Sequence, residues 1–421
     1  MRTVEQHAAE IDLLVARALG GRAPEPLPLD PGAVAREGSR LAERRLADDV
    51  TAPFALPPFA NSQMDGYAVR TAEVAEGASL VVAARVPAGR AAPALAPGTA
   101  APVMTGAPLP EGADAVVPIE RVDPPAFWPA SAGSPGAPEV RVAVPGPVAP
   151  GTYVRASGSD VAAGAVLARA GDRLTPARAG LLAAAGLAAV AVMPRPRVLL
   201  VSTGEELACP GAPLGPAQVH DANGVALAAL LAGVGAEVET AQVSDDAVAL
   251  TALLESRAPR ADLVVTTGGV SAGAYEVVRD ALEPRGVAFG GVAMQPGGPQ
   301  GWGTLAVGGR EVAVVCFPGN PVSCLVSAEA FLRPALQRAT GAGSPRRHGT
   351  AALAESVDSP VGKHQLRRGV LDLDGRVRLV GGPGSHLLAA LAEATVLVHV
   401  PVGVDHLDEG DEVVVWGLDE R

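Results

Sequence analysis

Apolar residues recur at helical spacing along Val4–Leu19 and Ala33–Leu46, so residues 1–45 predict helix. From Asp49 to about Pro150 the texture changes to short apolar runs separated by Pro and Gly, such as SLVVAARV, APVMTGAPLPEGADAVVPIE and EVRVAV. These read as a small β-rich domain, with the Pro/Ala/Gly/Ser-rich Pro124–Pro138 as a loop within it. Gly151–Val192 returns to mixed texture, and its LTPARAGLLAAAGL run predicts a helix that Thr175 caps just ahead of Pro176. Helical pieces flank the β-rich one. The pattern therefore predicts an elongated N-terminal module, residues 1–48 and 150–195, with a β-rich domain, residues 49–149, inserted into it.

A different rhythm starts at Arg197. RVLLVSTG, AEVETAQV, DLVVTTGG, VAFGGVAM and EVAVVCF read as strands. Asn223–Leu231, Asp246–Arg257, Tyr275–Leu282 and Pro321–Gln337 read as the helices among them. Strands alternating with helices of this length imply right-handed βαβ units and a doubly wound, mostly parallel sheet over residues 196–341. After Gly341 the helical pattern vanishes. An Asp374-Gly375 hairpin signal and the runs ATVLVHVP and DEVVVWGL predict a C-terminal β-barrel domain, residues 345–421. The fold class expected is multidomain α/β plus β.

With 421 residues, 48% hydrophobic and 19% charged, the chain has ample material for several folded cores. A net charge of −12 argues against non-specific nucleic-acid binding, and an anionic substrate would need local positive charge or aligned amides. The N-terminus lacks the basic and apolar regions of a signal peptide, and the longest apolar run, Ala179–Met193, falls short of a membrane span. Cys209, Cys316 and Cys324 have no metal-ligand spacing and read as reduced thiols. A cytoplasmic protein without nucleic-acid or membrane partners is expected.

In open α/β sheets ligands bind beyond the carboxyl ends of the strands. That rule selects four loops here: Ser202-Thr203-Gly204-Glu205-Glu206, Ser244-Asp245-Asp246, Thr266-Thr267-Gly268-Gly269-Val270-Ser271-Ala272-Gly273, and the elbow Pro318-Gly319-Asn320-Pro321. In the elbow, Pro318 ends a strand over Val312–Phe317, Asn320 suits an N-cap and Pro321 a first helical turn. Three glycines and three hydroxyls in the third loop suit an amide cradle for an anion, a plain glycine-rich turn being the alternative, and neither the P-loop nor the GxGxxG pattern is present. Asp245 or Ser244 also suits a plain helix cap, and Glu206 an exposed turn charge. Amides for phosphate beside carboxylates for a hard cation suit nucleotide or phosphate-ester chemistry with Mg²⁺.

Five motifs occur in one order: NSQMDGYAVR, MTGAPLPEGADAVVPIE, STGEEL, TTGGVSAG and PGNPVS. Together they resemble the molybdopterin molybdenumtransferase family, the MoeA proteins and the gephyrin E domain, over nearly the whole chain. The resemblance implies insertion of molybdate into adenylyl-molybdopterin with release of AMP, dependence on Mg²⁺, a homodimer with an inter-subunit site, and a possible molybdopterin adenylyltransferase partner. Carried over by position, it implies catalytic roles for Asp65, Thr105, Glu206 and Asp245, with Glu276 a further metal ligand. For substrate contacts it matches Pro318 and Pro321 of the elbow and Arg155 and Asp160 of the N-terminal module, while the loops themselves offer Thr203, Gly204, Gly268, Gly269, Ser271, Gly273, Gly319, Asn320 and Ser323. The resemblance associates Ser385 and the arginines Arg367 and Arg368 with molybdate, and the arginines are expected to dominate, with Lys363 and Ser385 as lesser contributors. Three departures stand out. Ser159 replaces an acid before Asp160, Glu276 stands where aspartate is usual, and Gln295-Pro296-Gly297-Gly298-Pro299 replaces a lysine-bearing KPGKP. A nucleotide pyrophosphatase or adenylyl transferase, and a scaffold that lost turnover, are the competing readings.

Overall fold

The computed structural model of the chain describes residues 1–128, 138–271 and 276–418. Gly273, Tyr275 and residues 129–137 of the proline-rich stretch lie outside the described residues. The chain divides into two compact units. One comprises Met1–Leu27, Arg36–Ala47 and Ala191–Arg421, and the other Pro28–Ala35 and Asp48–Val190. Among the described residues no helix is long and apolar enough to cross a membrane.

The first unit holds a six-stranded sheet in the order Glu237–Val243, Arg197–Thr203, Leu263–Thr267, Arg310–Phe317, Pro299–Val307, Ala288–Gly291. The first four strands run parallel, Pro299–Val307 runs against them, and Ala288–Gly291 pairs antiparallel with Pro299–Val307 at the edge. Alternate residues of Arg197–Thr203 enter opposite layers: Val198 and Leu200 pack with Leu227 and Leu231, while Leu199 and Val201 pack with Leu250 and Leu254. Burial on both faces explains why this strand reads as one apolar run rather than an alternating one. Asp221 and Asp246 cap the helices Ala222–Ala232 and Ala247–Arg257 by accepting from Gly224 and Val248 amides. Thr3 and Gln6 form a reciprocal capping box on Val4–Leu19.

Several elements differ from the sequence pattern. The strand Pro299–Val307 was not anticipated, because its five-residue start PQGWG reads as loop; edge pairing with Arg310–Phe317 decides it. VAFGGVAM splits: Ala288–Gly291 stays in this sheet, whereas Met294–Gln295 pairs with His364–Gln365 of the C-terminal sheet. Ala33–Leu46 is a short helix, Pro31–Glu37, followed by a 3₁₀ segment, Gly38–Glu43. Pro321–Gln337 is helical but interrupted by π geometry at Ala328–Leu332, just before Pro334, which offers no N–H to the turn behind it. Among the described residues the C-terminal region contains one short α-helix, Leu388–Glu393, too brief to register as periodicity.

The C-terminal sheet runs Met294–Gln295, His364–Leu371, Val396–Val400, Glu412–Gly417, His348–Ala352, with Val377–Leu379 paired to His364–Leu371 across the Asp374-Gly375 hairpin. Its core is mostly valine, including Val377, Val396, Val398, Val413 and Val415. In the second unit a five-stranded sheet orders Ala115–Pro118, Gly66–Val69, Thr99–Val103, Ala78–Val82 and Arg141–Val144 around Tyr67, Leu80, Val82 and Val142. Thr175 caps the helix Pro176–Ala184 through the Arg178 amide.

Candidate functional site

At the carboxyl ends of the parallel strands lies a cleft of about 680 Å³. It is lined by Thr203, Gly204, Glu206, Asp245, Gly268, Gly269, Ser271, Glu276, Pro318, Gly319, Asn320, Pro321 and Ser323, so the four loops converge on one space. Gly268 has φ 98°, and a Cβ there would stand 2.7 Å from both the carbonyl oxygen and Oγ1 of Thr203. Only glycine lets the third strand turn this close to the first. The elbow follows as the sequence suggests, with Pro321 first in the helix, but Asn320 makes no side-chain capping bond. The Val322 amide donates to the Ser385 carbonyl at 3.0 Å, so this elbow amide is occupied by the C-terminal domain.

The acids divide between structural and unassigned roles. Asp246, not Asp245 or Ser244, caps the following helix, accepting from Val248 N at 2.8 Å. Asp245 is released from that duty and accepts instead from Glu205 N at 3.2 Å, joining the first two loops. The Glu206 carboxylate folds over Gly204, where a Cβ would come within 2.5 Å of Oε2. Glu276 accepts from Ser271 N at 2.9 Å. No three His, Cys, Asp or Glu side chains among the described residues are grouped to hold a metal ion by themselves. Mg²⁺ ordinarily takes one or two carboxylates and completes its shell with substrate phosphate and water. Glu206 and Asp245 on one cleft wall fit that partial donor set.

The four residues expected near molybdate do not line the cleft. Arg367 and Arg368 are buried, at 8% and 1% exposure. Arg367 Nη2 donates to the Gly381 carbonyl at 3.3 Å, and Arg368 Nη2 donates to that of Gly382. Arg367 Nη1 also donates to Gln365 Oε1 at 3.5 Å, and among the described residues Arg367 Nε and Arg368 Nε and Nη1 are buried without a hydrogen-bond partner. Burial lowers the pKa of both guanidiniums; Arg367 lowers that of Arg368 further, while Glu355 partly restores that of Arg367. Gln295, in the segment that departs from the lysine pattern, accepts from Gln365 Nε2 at 2.8 Å, beside these arginines on the same strand. Ser385 reaches the elbow through its carbonyl, its neighbour His386 lines the cleft, and Lys363 is exposed.

Asp65, Thr105, Arg155 and Asp160 belong to the second unit. Thr105 donates to Asp65 Oδ1 from its amide at 2.7 Å and from its hydroxyl at 2.9 Å. These two bonds, amide first, hold the Asp65 carboxyl below its usual pKa. Arg155 pairs in register with Asn61 and contacts its side chain at 3.5 Å. The NSQMDG and MTGAP motifs are thus neighbours in space. Asp160 is exposed, and its amide donates to the Leu56 carbonyl at 3.0 Å.

Sequence reasoning missed Asp221, Asn223, Pro299, His220 and His386, which also line the cleft. Asp221-Ala222-Asn223 opens the helix after the first strand, at the same carboxyl edge, and that position was the available signal. The Asn223 amide group donates to Thr267 Oγ1 at 2.8 Å and to the Gly319 carbonyl at 2.7 Å.

Comparison with known proteins covers most of the chain. Residues 3–186 match the MoeA N-terminal region (domain I and II), residues 199–338 a probable molybdopterin binding domain, and residues 350–418 the MoeA C-terminal region (domain IV). Molybdopterin molybdenumtransferase 2 of Mycobacterium tuberculosis is 47% identical over 390 residues, spanning 89% of this chain and 92% of that protein. The molybdopterin molybdenumtransferase of Synechococcus elongatus is 35% identical over 426 residues, 98% of this chain and 99% of that one. Among solved structures, a molybdopterin biosynthesis MoeA protein from Pyrococcus horikoshii superposes with a TM-score of 0.75 at 30% identity, covering 98% and 99% of the two chains.

Proposed function

The chain belongs to the molybdopterin molybdenumtransferase family, and from that premise we propose that it transfers molybdate to the dithiolene of adenylyl-molybdopterin and releases AMP. The observation that carries the reading is the cleft itself, where a glycine loop, a proline elbow and the acidic side chains of Glu206 and Asp245 meet at one sheet edge. Main-chain amides of the two turns suit the phosphate groups of the substrate, while Thr203 and Ser271 offer hydroxyls beside them. Glu206 and Asp245, with Glu276 nearby in the cleft wall, would hold Mg²⁺, which would neutralise charge on the phosphate under attack. Arg367 and Arg368 would receive molybdate: among the described residues both are buried with guanidinium nitrogens left unpartnered, and the guanidinium fork suits a tetrahedral oxyanion. The lysines of the family's KPGKP are absent here, so these arginines carry the charge complement, with Ser385 and Lys363 lesser contributors.

The test incubates purified protein with adenylyl-molybdopterin, Mg²⁺ and molybdate and follows AMP and cofactor together. AMP release should require both molybdate and the cation; release that persists in chelator removes the metal role, and release without molybdate marks a pyrophosphatase instead. Replacing both arginines with glutamine should raise the molybdate concentration for half-maximal turnover and leave adenylyl-molybdopterin binding nearly unchanged. We further place the working form as a cytoplasmic homodimer supplied by an adenylyltransferase, with Asp65 and Thr105 of one subunit completing the partner's site. Inactive Asp65→Ala and Glu206→Ala proteins, mixed and re-assembled, should then regain activity. Mixed dimers that stay inactive would place those residues otherwise.

A further inference from the structure

Asn223 makes two hydrogen bonds that together decide what the elbow presents to the cleft. Its Nδ2 donates to the Gly319 carbonyl at 2.7 Å and to Thr267 Oγ1 at 2.8 Å. A carbonyl cannot donate, so the amide orientation is determined: the NH₂ end faces the elbow. Thr267 Oγ1 in turn lies 3.5 Å from the Pro318 carbonyl, a weaker contact of the same sense, and the Phe317 carbonyl accepts from Gly268 N at 3.0 Å. Three successive carbonyls are therefore drawn toward the glycine loop and the first turn of the Ala222–Ala232 helix.

In a planar trans peptide the N–H points opposite to the C=O. Holding the Gly319 carbonyl on one side turns the Asn320 N–H to the other, and holding the Pro318 carbonyl does the same for the Gly319 N–H. Among the described residues neither amide donates to a backbone carbonyl, and both residues line the cleft. The flanking prolines limit the elbow but leave ψ of Pro318 and the Gly319 torsions to be set by such anchors, and a carbonyl facing a bound anion repels it.

We propose that Asn223 is a positioning residue for substrate, locking the elbow so that the Gly319 and Asn320 amides face the anionic phosphate end of the nucleotide part. This rests on the reading of the cleft as an adenylate site, and it adds the group that sets the elbow's polarity. Asn223 does not need to touch the ligand. Its own Oδ1 is buried without a partner, so the residue is poorly matched to its place on grounds of stability alone.

The test is calorimetric titration of wild type, Asn223→Leu and Asn223→Ala with AMP and with adenosine, which lacks the phosphate. Leucine is neutral and similar in size, so a loss there cannot come from added charge, and alanine serves if leucine disturbs folding. Wild type should prefer AMP to adenosine. In either variant AMP affinity should fall at least about tenfold, the scale of one charge-assisted hydrogen bond, while adenosine stays within about twofold. An unchanged ratio of AMP to adenosine affinity, whether both fall or neither does, overturns the positioning role and leaves the adenylate reading standing. A wild type with no preference for AMP overturns both.

Discussion

Arg368→Gln should make this protein more stable and less able to use molybdate. The side chain is 1% exposed, with Nη2 donating to the Gly382 carbonyl and Nε and Nη1 unpartnered. Its charge neighbour is Arg367, of like sign, and both guanidiniums have lowered pKa values. A buried charge without a counter-ion carries an effective penalty of several kcal/mol. One hydrogen bond from a charged donor returns about 1.5–3 kcal/mol, and the smaller glutamine forfeits roughly 1 kcal/mol of packing. The balance is a gain of about 1–3 kcal/mol, or roughly 2–4 °C in melting temperature per kcal/mol for a unit of this size. The assay is thermal and urea unfolding with and without molybdate. Ligand that binds only the folded state raises the melting temperature by mass action, so wild type should rise with molybdate and the variant should not. A variant destabilised by more than about 1 kcal/mol, with its molybdate response intact, refutes the account of Arg368 as strain held for anion binding.

Two further outcomes follow from buried charge. His7 lies in the core edge-on to Trp302 and Phe331, and burial, with a smaller contribution from Arg2, pushes its pKa down to about 4. The folded form thus binds fewer protons: stability is complete above about pH 6.5 and declines by about 1.4 kcal/mol per pH unit toward pH 4. His7→Phe should remove that share of the acid sensitivity in urea midpoints measured at pH 7.5 and 5, and an unchanged slope would reject the assignment. Asp262, 2% exposed, accepts from Arg197 N at 2.9 Å, Arg197 Nη2 at 3.0 Å and Arg22 Nη1 at 3.1 Å. Burial opposes its ionisation, but the Arg197 bonds and Arg22 charge outweigh burial and lower its pKa. This stabilisation is therefore full above pH 4 and lost as pH falls through the depressed value. Asp262→Asn should cost about 3–5 kcal/mol at pH 7, least if the exposed Arg197 turns to solvent, and a loss below 1 kcal/mol would show the cluster to be unimportant.

The residue pattern alone carried the strand and helix rhythm of 197–337, because strands buried on both faces must be apolar throughout and the helices between them carry capping residues such as Asp246. It also carried the cleft, since parallel strands bring their carboxyl-end loops to one edge whatever the packing details. The family followed from five ordered motifs without any coordinates. What remained illegible depended on long-range partners. Pro299–Val307 is a strand because Arg310–Phe317 offers it a ladder, and Met294–Gln295 leaves one sheet for another for the same reason. Nor did local sequence distinguish Asp245 from Asp246: one carboxylate reaches a helix amide two residues on, and the other an amide forty residues away. Asn223 reads as an ordinary helix start until Gly319, far along the chain, supplies the carbonyl that its amide holds. Resemblance singled out Arg367 and Arg368 as molybdate contacts, but nothing in the neighbouring residues told of their burial, which the packed C-terminal domain decides. Periodicity and capping are local and written in neighbouring residues, whereas desolvation and hydrogen-bond partnership are set by whatever the rest of the chain brings alongside.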